Sequence, residues 1–383
     1  MSVTAAAGFR AAGVAAGIKP GGALDLALVV NDGPSDVAAG VFTANRVEAA
    51  PVLWSQQVLA TGRLRAVVLN SGGANACTGP AGFADTHRTA EVVAEALRVG
   101  AIDVAVCSTG LIGERLPMPA IQLGITAAAG ALADDAGGAA ARAIMTTDTV
   151  AKEAVGGGSG YTVGGMAKGA GMLAPDLATM LCVITTDADV DSSTVDKALR
   201  AVTATTFDRL DADGCMSTND TVLLLASGAV GITPEPAEFA SVLTDVCRDL
   251  ALQLLADVEG ATKRVRIDVI GAGSESDAVE VGRAVARSAL LKCALYGNDP
   301  NWGRVLAAVG TTRAAFDPDR LDIAINGAGV CIGGAAGADR STVDLTGAEV
   351  AIEIDLHEGP AAATVWTTDL TPGYVNENSA YSS

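Results

Sequence analysis

Two histidines, His87 and His357, are all that the 383 residues contain. A zinc site draws three or four His, Cys or carboxylate ligands at recognisable spacing. No such spacing occurs, so no metal is expected. A Ser–His–Asp enzyme would have to recruit His87, at a polar helix start, or His357, in the turn-like "DLHEGP". Both read as solvent-facing. Aromatics are scarce at 3%, so the core must be built from Ala, Val, Leu and Ile. The seven cysteines are odd in number and lack CxxC spacing, which argues against a disulfide framework. Most read as small buried hydrophobes. Runs of Lys or Arg are missing and the net charge is −19, which excludes a nucleic-acid partner while leaving small cationic or zwitterionic substrates compatible. Apolar runs stay below the roughly 18 residues of a membrane span. Arg10 and Lys19 interrupt the Ala-rich N-terminus, as no signal-peptide core allows. A cytoplasmic protein is expected.

What is present is an alternation of strand and helix patterns. The spacing predicts strands at 25–31, 38–43, 65–70, 102–107 and 180–187, with helices at 82–100 and over one region at 118–145. A Gly-rich stretch, 156–171, reads as a loop dividing the chain into halves. Beyond it, helices near 192–206, 236–256 and 275–288 alternate with strands at 222–227, 264–271, 303–309, 321–326, 348–356 and 362–369. Consecutive late strands favour a layered α+β architecture over an alternating barrel. Nucleotide motifs fail: "GGMAKGAG" lacks P-loop order, and "VIGAGSESD" has Ser276 where a third glycine belongs. "DADG" would put Arg209 at position one of a calcium loop, which excludes it.

A nucleophile without a histidine needs another base. The α-amine of a residue that is both nucleophile and N-terminus, with a pKa of about 7.7–8.0, can take the proton of its own hydroxyl. That requires cleavage just before a Ser, Thr or Cys. In "KGAGMLAPDLATMLCVITTDADV" (168–190), Thr179 follows the small Ala178 and precedes an apolar strand. From the residues alone, Thr179 reads better as a β-branched strand residue, and "STGLIG" (108–113) as a strand-ending turn.

The same stretch closely resembles the self-processing signature of the ornithine acetyltransferase family, the bifunctional glutamate N-acetyltransferases of arginine biosynthesis. "NSGGANACTG" (70–79), "CSTGLIGERLPM" (107–118), "AIMTTDT" (143–149), "STNDT" (217–221), "EGATKRV" (259–265), "NDPNWGRVLAAVG" (298–310) and "YVNENSAYSS" (374–383) are similar to it in the same order, with actinobacterial members most alike. The resemblance implies an αββα-type, self-processing, N-terminal-nucleophile-like α+β fold with mixed sheets. It implies cleavage between Ala178 and Thr179 into an α chain (1–178) and a β chain (179–383), paired as an α2β2 heterotetramer. Thr179 would be the nucleophile, and Thr109 and Gly110 the oxyanion hole. Thr146 or Thr147, Lys168, Thr179, Glu259, Asn378 and Ser383 would bind substrate. Acetyl would pass from N-acetylornithine to glutamate with no resident cofactor, acetyl-CoA being a candidate co-substrate.

Two other readings compete. One is an aminopeptidase or amidase on a similar self-cleaving scaffold, handing its acyl group to water. The other is an amino-acid- or nucleotide-binding protein built on "GAGSESD", whose chain would stay intact.

Overall fold

A computed structural model describes residues 2–174 and 180–380. Two compact units form, one from residues up to Asp208 together with Cys215–Asp257, the other from Arg209–Gly214 together with the chain from Val258.

The first unit contains, in chain order, strands β1 (Phe9–Val14), β2 (Leu26–Asn31) and β3 (Val37–Phe42), helix α1 (Ala50–Leu59), β4 (Ala66–Asn70), α2 (Gly79–Leu97), β5 (Val104–Ser108), α3 (Met118–Gly130) and α4 (Gly137–Ala143). It continues with β6 (Lys152–Gly157), β7 (Thr162–Lys168), β8 (Leu181–Thr186), α5 (Ser192–Thr205), β9 (Thr221–Ala226) and α6 (Pro236–Ala256). One mixed sheet has the order β1-β2-β4-β5, and a second the order β3-β9-β8-β7-β6. Alternation along the strands assigns the layers. Val29, Val67 and Ala105 from the first sheet share a core with Met166, Val183 and Leu223 from the second. Leu28, Val68 and Val106 point the other way, onto Val93 of α2 and Ile121 and Ile125 of α3. Helices α5 and α6 pack on the second sheet, α5 against β3 and α6 against β6 and β7.

The Gly-rich stretch is mostly an antiparallel hairpin, β6 with β7, and not a loop. Its glycines serve close approach from both faces. A Cβ on Gly165 would lie 2.9 Å from Leu250, and one on Gly156 would lie 2.8 Å from Val246, both on α6; a Cβ on Gly164 would collide with the Ser2 carbonyl. Glycine weakens a strand by entropy, so here the strand is held by its neighbours and not by propensity. The single helical region expected at 118–145 is two helices, since "LADDAGG" interrupts the pattern between Ala131 and Gly137.

The second unit contains β10 (Arg264–Ala272), α7 (Glu275–Ala286), α8 (Ala289–Tyr296), α9 (Trp302–Val309), β11 (Asp322–Ile325), β12 (Ala328–Ile332), β13 (Ala335–Ala336), β14 (Glu349–Asp355), β15 (Ala361–Thr368) and α10 (Pro372–Ala380). Its sheet order is β13-β12-β11-β14-β10-β15, with only β10 and β14 parallel. Val265, Ile267 and Val269 of β10 face α7 and the core, while Arg264, Arg266 and Asp268 alternate outward. The strand expected at 303–309 is helix α9. A short apolar run does not distinguish strand from buried helix. Asn301 decides it by capping the helix, its side chain accepting from Arg304 N–H, and Val305, Ala308 and Val309 then fall on one buried face.

The architecture is therefore mixed α+β with several mixed sheets. No described helix is long and apolar enough to cross a membrane. Leu223 is fully enclosed between the two sheets of the first unit. Leu223→Ala is expected to cost about 2–5 kcal/mol, read from the denaturant midpoint.

Candidate active site

Two loops of the first unit, following β4 and β5, are joined backbone to backbone. Gly73 N–H donates to Thr109 O (3.0 Å), Ala74 N–H to Leu111 O (3.0 Å) and Gly113 N–H to Ala76 O (2.9 Å). Side chains lock the pair. Ser108 Oγ donates to Asn70 Oδ1 (2.5 Å), and Asn70 Nδ2 to Gly73 O (3.0 Å). Asn219 Nδ2, from the segment entering β9, reaches across to Ala74 O (2.7 Å) and Ser108 O (2.8 Å). Within this frame Gly110 has φ +133°, and a Cβ there would sit 2.7 Å from Gly73 N. Only glycine fits. Its N–H meets no acceptor among the described residues.

Thr109 is buried beside Gly110, and Lys168 Nζ lies 3.5 Å from its Oγ1. An ammonium has no acceptor capacity, so Thr109 Oγ1 accepts in this contact and its own hydrogen stays available for donation. Lys168 ends β7, is 1% exposed and stands in register with Leu181 of β8. Its charge is answered by Asp148, 4.0 Å away.

Asp148 is the hub. Its Oδ1 accepts from Lys152 Nζ (2.6 Å) and Gly169 N–H (2.7 Å), and its Oδ2 from Thr146 N–H (2.9 Å). Lys152 bridges onward to Asp257 (2.6 Å), which also accepts from the Thr149 amide (2.9 Å) and hydroxyl. Two ammonium groups and two carboxylates thus form one buried, neutral chain. Burial alone would push the Asp148 carboxyl up, but Lys168 and then Lys152 outweigh it and hold it at about 2. Lys19 lies close by, donating to Met145 O (2.5 Å). Burial lowers its pKa, Asp25 opposes that, and Lys168 lowers it further.

Of the residues expected from the sequence, Thr109, Gly110, Lys168 and Thr146 therefore meet in one network, and Thr147 follows Thr146, half-buried. Glu259 and Asn378 belong to the second unit. Glu259 is buried there. Asn378 is exposed on α10, bonded to Tyr374 O (3.0 Å). That helix is docked at its start, since Thr371 Oγ1 donates to Gly260 O (2.6 Å) and a Cβ on Gly260 would strike the Tyr374 backbone. Ala178, Thr179 and Ser383 lie outside the described residues. Neither histidine has joined the site: His87 is half-exposed with its ring centroid 4.9 Å from that of Trp54, and His357 pairs with Asp322 (2.9 Å). Among the described residues no three His, Cys, Asp or Glu side chains are placed to hold a metal ion. Three of the cysteines, Cys77, Cys215 and Cys293, are exposed and the other four buried.

Sequence reasoning did not single out Lys19, Asp148, Lys152, Asn219 or Asp257. The available signals were Asp148 inside "AIMTTDT" and Asn219 inside "STNDT", and nothing local shows that Asp148 meets residues 152, 168 and 257.

The depressed Asp148 pKa stabilises the fold above its ordinary value of 3.8, and this is lost as pH falls toward about 2. The loss is expected to be about 2 kcal/mol, by denaturant unfolding across that window. Lys152→Met should lower stability by about 3–5 kcal/mol at neutral pH by leaving Asp257 buried without a cation and Asp148 with Lys168 alone.

The ArgJ family model matches residues 10–383. The chain is 65% identical over 382 residues to the arginine biosynthesis bifunctional protein ArgJ of Thermobifida fusca, covering 100% of both chains. It is 63% identical over 383 residues to the protein of the same name from Streptomyces coelicolor, again covering 100% of both. A solved ornithine acetyltransferase complexed with ornithine, from Mycobacterium tuberculosis, is 64% identical, covering 47% of this chain and 96% of its own, with a TM-score of 0.45. By the match to the family model and by full-length identity to these relatives, the chain belongs to the ArgJ family.

Proposed function

We propose that the protein is a self-cleaving N-acetyltransferase of arginine biosynthesis that moves acetyl from N2-acetyl-L-ornithine to L-glutamate through an acyl-Thr179 intermediate. Full-length relatives named for a bifunctional role in arginine biosynthesis support the reaction class. The observation that carries the chemistry is the Thr109–Gly110 turn. A hydroxyl hydrogen left available by Lys168 and an N–H without an acceptor among the described residues lie side by side, near the strand that begins two residues after Thr179. Two donors so placed suit a tetrahedral oxyanion, and each is worth about 3–4 kcal/mol of transition-state stabilisation.

In this reading the Thr179 hydroxyl attacks the Ala178 carbonyl, the peptide becomes an ester, and water opens it. The freed α-amine then serves as general base for its own hydroxyl. The acetyl group of N-acetylornithine passes to Thr179, ornithine leaves, and the α-amine of glutamate takes the acetyl group. Lys168, with Thr146 or Thr147, supplies cationic and hydroxyl partners for a carboxylate, and Glu259, Asn378 and Ser383 complete recognition of the amino acid. The two sheets sharing one core, with helices on their outer faces, support an αββα-type N-terminal-nucleophile-like fold. The α chain (1–178) and β chain (179–383) would pair as an α2β2 assembly in the cytoplasm, acetyl-CoA being a candidate second donor.

Intact mass under denaturing conditions tests the first step. Two species, one ending at Ala178 and one starting at Thr179, are expected, with Thr179→Ala remaining a single full-length chain. A wild-type chain that stays whole on long incubation overturns the reading. Ornithine release from N-acetylornithine should then depend on glutamate; release at the same rate without it would assign a hydrolase.

A further inference from the structure

Self-cleavage makes a chemical demand that Thr109 and Gly110 do not meet. When the Thr179 oxygen bonds to the Ala178 carbonyl carbon and the carbon–nitrogen bond breaks, the departing nitrogen must gain a proton. Asp220 is placed to supply one. It lies just before β9, fully buried, and β9 runs parallel to β8 with Thr221 in register with Leu181. Its Oδ1 accepts from Met180 N–H at 3.0 Å, while Thr221 N–H donates to Met180 O at 3.1 Å. The residue immediately after Thr179 is therefore gripped at both its amide and its carbonyl. The Oδ2 of Asp220 is buried and has no hydrogen-bond partner among the described residues.

A buried polar atom without a partner is costly, and a buried carboxylate without an ion pair more so. Asp220 makes no ion pair among the described residues. The groups facing it are the Met180 amide, the Ser217 hydroxyl, Lys168 and Asp208. Burial raises its pKa well above the ordinary value; Met180 N–H, Ser217 and Lys168 pull the other way, and Asp208 adds to the rise. Lys168 is already answered by Asp148. Burial and the missing ion pair thus favour the neutral acid, and with Oδ1 engaged as an acceptor, Oδ2 is the oxygen left to bear a hydrogen.

We propose that Asp220 acts as the acid of self-cleavage, giving the proton on its buried Oδ2 to the departing nitrogen of Thr179. Along the chain only two backbone carbons separate that nitrogen from the Met180 nitrogen that Asp220 already holds. The step balances. The bond from the Ala178 carbonyl carbon to Thr179 Oγ forms, the bond from that carbon to the Thr179 nitrogen breaks, and the nitrogen takes the Asp220 proton. The hydroxyl proton of Thr179 then returns to the Asp220 carboxylate, which ends unchanged. Water subsequently opens the ester, its hydroxyl going to Ala178 and its hydrogen to Thr179 Oγ.

The inference rests on the self-cleavage reading, and the two can fail separately. Cleavage of freshly synthesised full-length chain is followed by intact mass for wild type, Asp220→Asn, Asp220→Glu and Thr179→Ala, with a melting curve for each uncleaved species. Asparagine can still accept from Met180 N–H but holds no acidic proton, so Asp220→Asn should slow cleavage by about 100-fold, while Asp220→Glu recovers at least part of the rate. Cleavage of Asp220→Asn within threefold of wild type overturns the proposal, and so do Asn and Glu variants that are equally slow despite native-like melting. If Asp220→Asn does not fold, the wild-type rate constant decides. It should fall as rising pH removes the carboxyl's proton, and a flat or rising profile overturns the proposal. A wild-type chain as inert as Thr179→Ala overturns the self-cleavage reading itself.

Discussion

The first unit depends on a buried chain of four charges, Lys168, Asp148, Lys152 and Asp257. Desolvating such groups costs several kcal/mol each, and Coulomb attraction repays that only when geometry and hydrogen bonds are complete. Here they nearly are, because backbone amides of residues 146, 149 and 169 fill the carboxylate lone pairs that lysines leave open. A hydrophobic replacement would hold the fold as well. What it would not provide is an ammonium placed at Thr109 with almost no exposure to water. The network thus converts folding energy into the position of one cation, and through it into the orientation of a hydroxyl.

Rigidity at the turn beside that hydroxyl comes from a second source. The loops after β4 and β5 carry few long side chains, so their conformation is held by mutual backbone bonds and by two asparagine amides. Asn219 binds carbonyls from both loops at once. An oxyanion site benefits from donors that do not reorganise during reaction, and such cross-bracing supplies that. Gly110 follows from the same geometry, since its φ and its closeness to Gly73 leave no room for a side chain.

Asp148 and Asp220 show how one residue type is shifted in opposite directions within one unit. Both are buried. Asp148 has two lysines at hand and its pKa is held down, whereas Asp220 has an amide, a hydroxyl and a cation already paired elsewhere, and burial pushes its pKa up.

Much of the fold was legible in the chain itself. Alternating burial in β10 and β14 and the helical spacing of α2, α5 and α6 are local signals, and they survive folding because each element buries its own patterned face. The errors fell where local pattern is silent. The apolar run of α9 fits either period until Asn301 caps it, and the glycines of β6 and β7 look like loop until α6 and the N-terminal segment press on them. For the site, the family resemblance pointed to Thr109, Gly110, Thr146 or Thr147 and Lys168, because the motifs that carry them stand in the same order along the chain. The partners that give those residues their states were not legible. Asp148, Lys152 and Asp257 are separated by up to about a hundred positions, and Asn219 acts on a loop far earlier in the chain. The sequence by itself determined which groups are available and which elements carry them. Only the tertiary structure decided their protonation and orientation, because pKa and hydrogen-bond direction depend on burial and on distances across strands that no local spacing encodes.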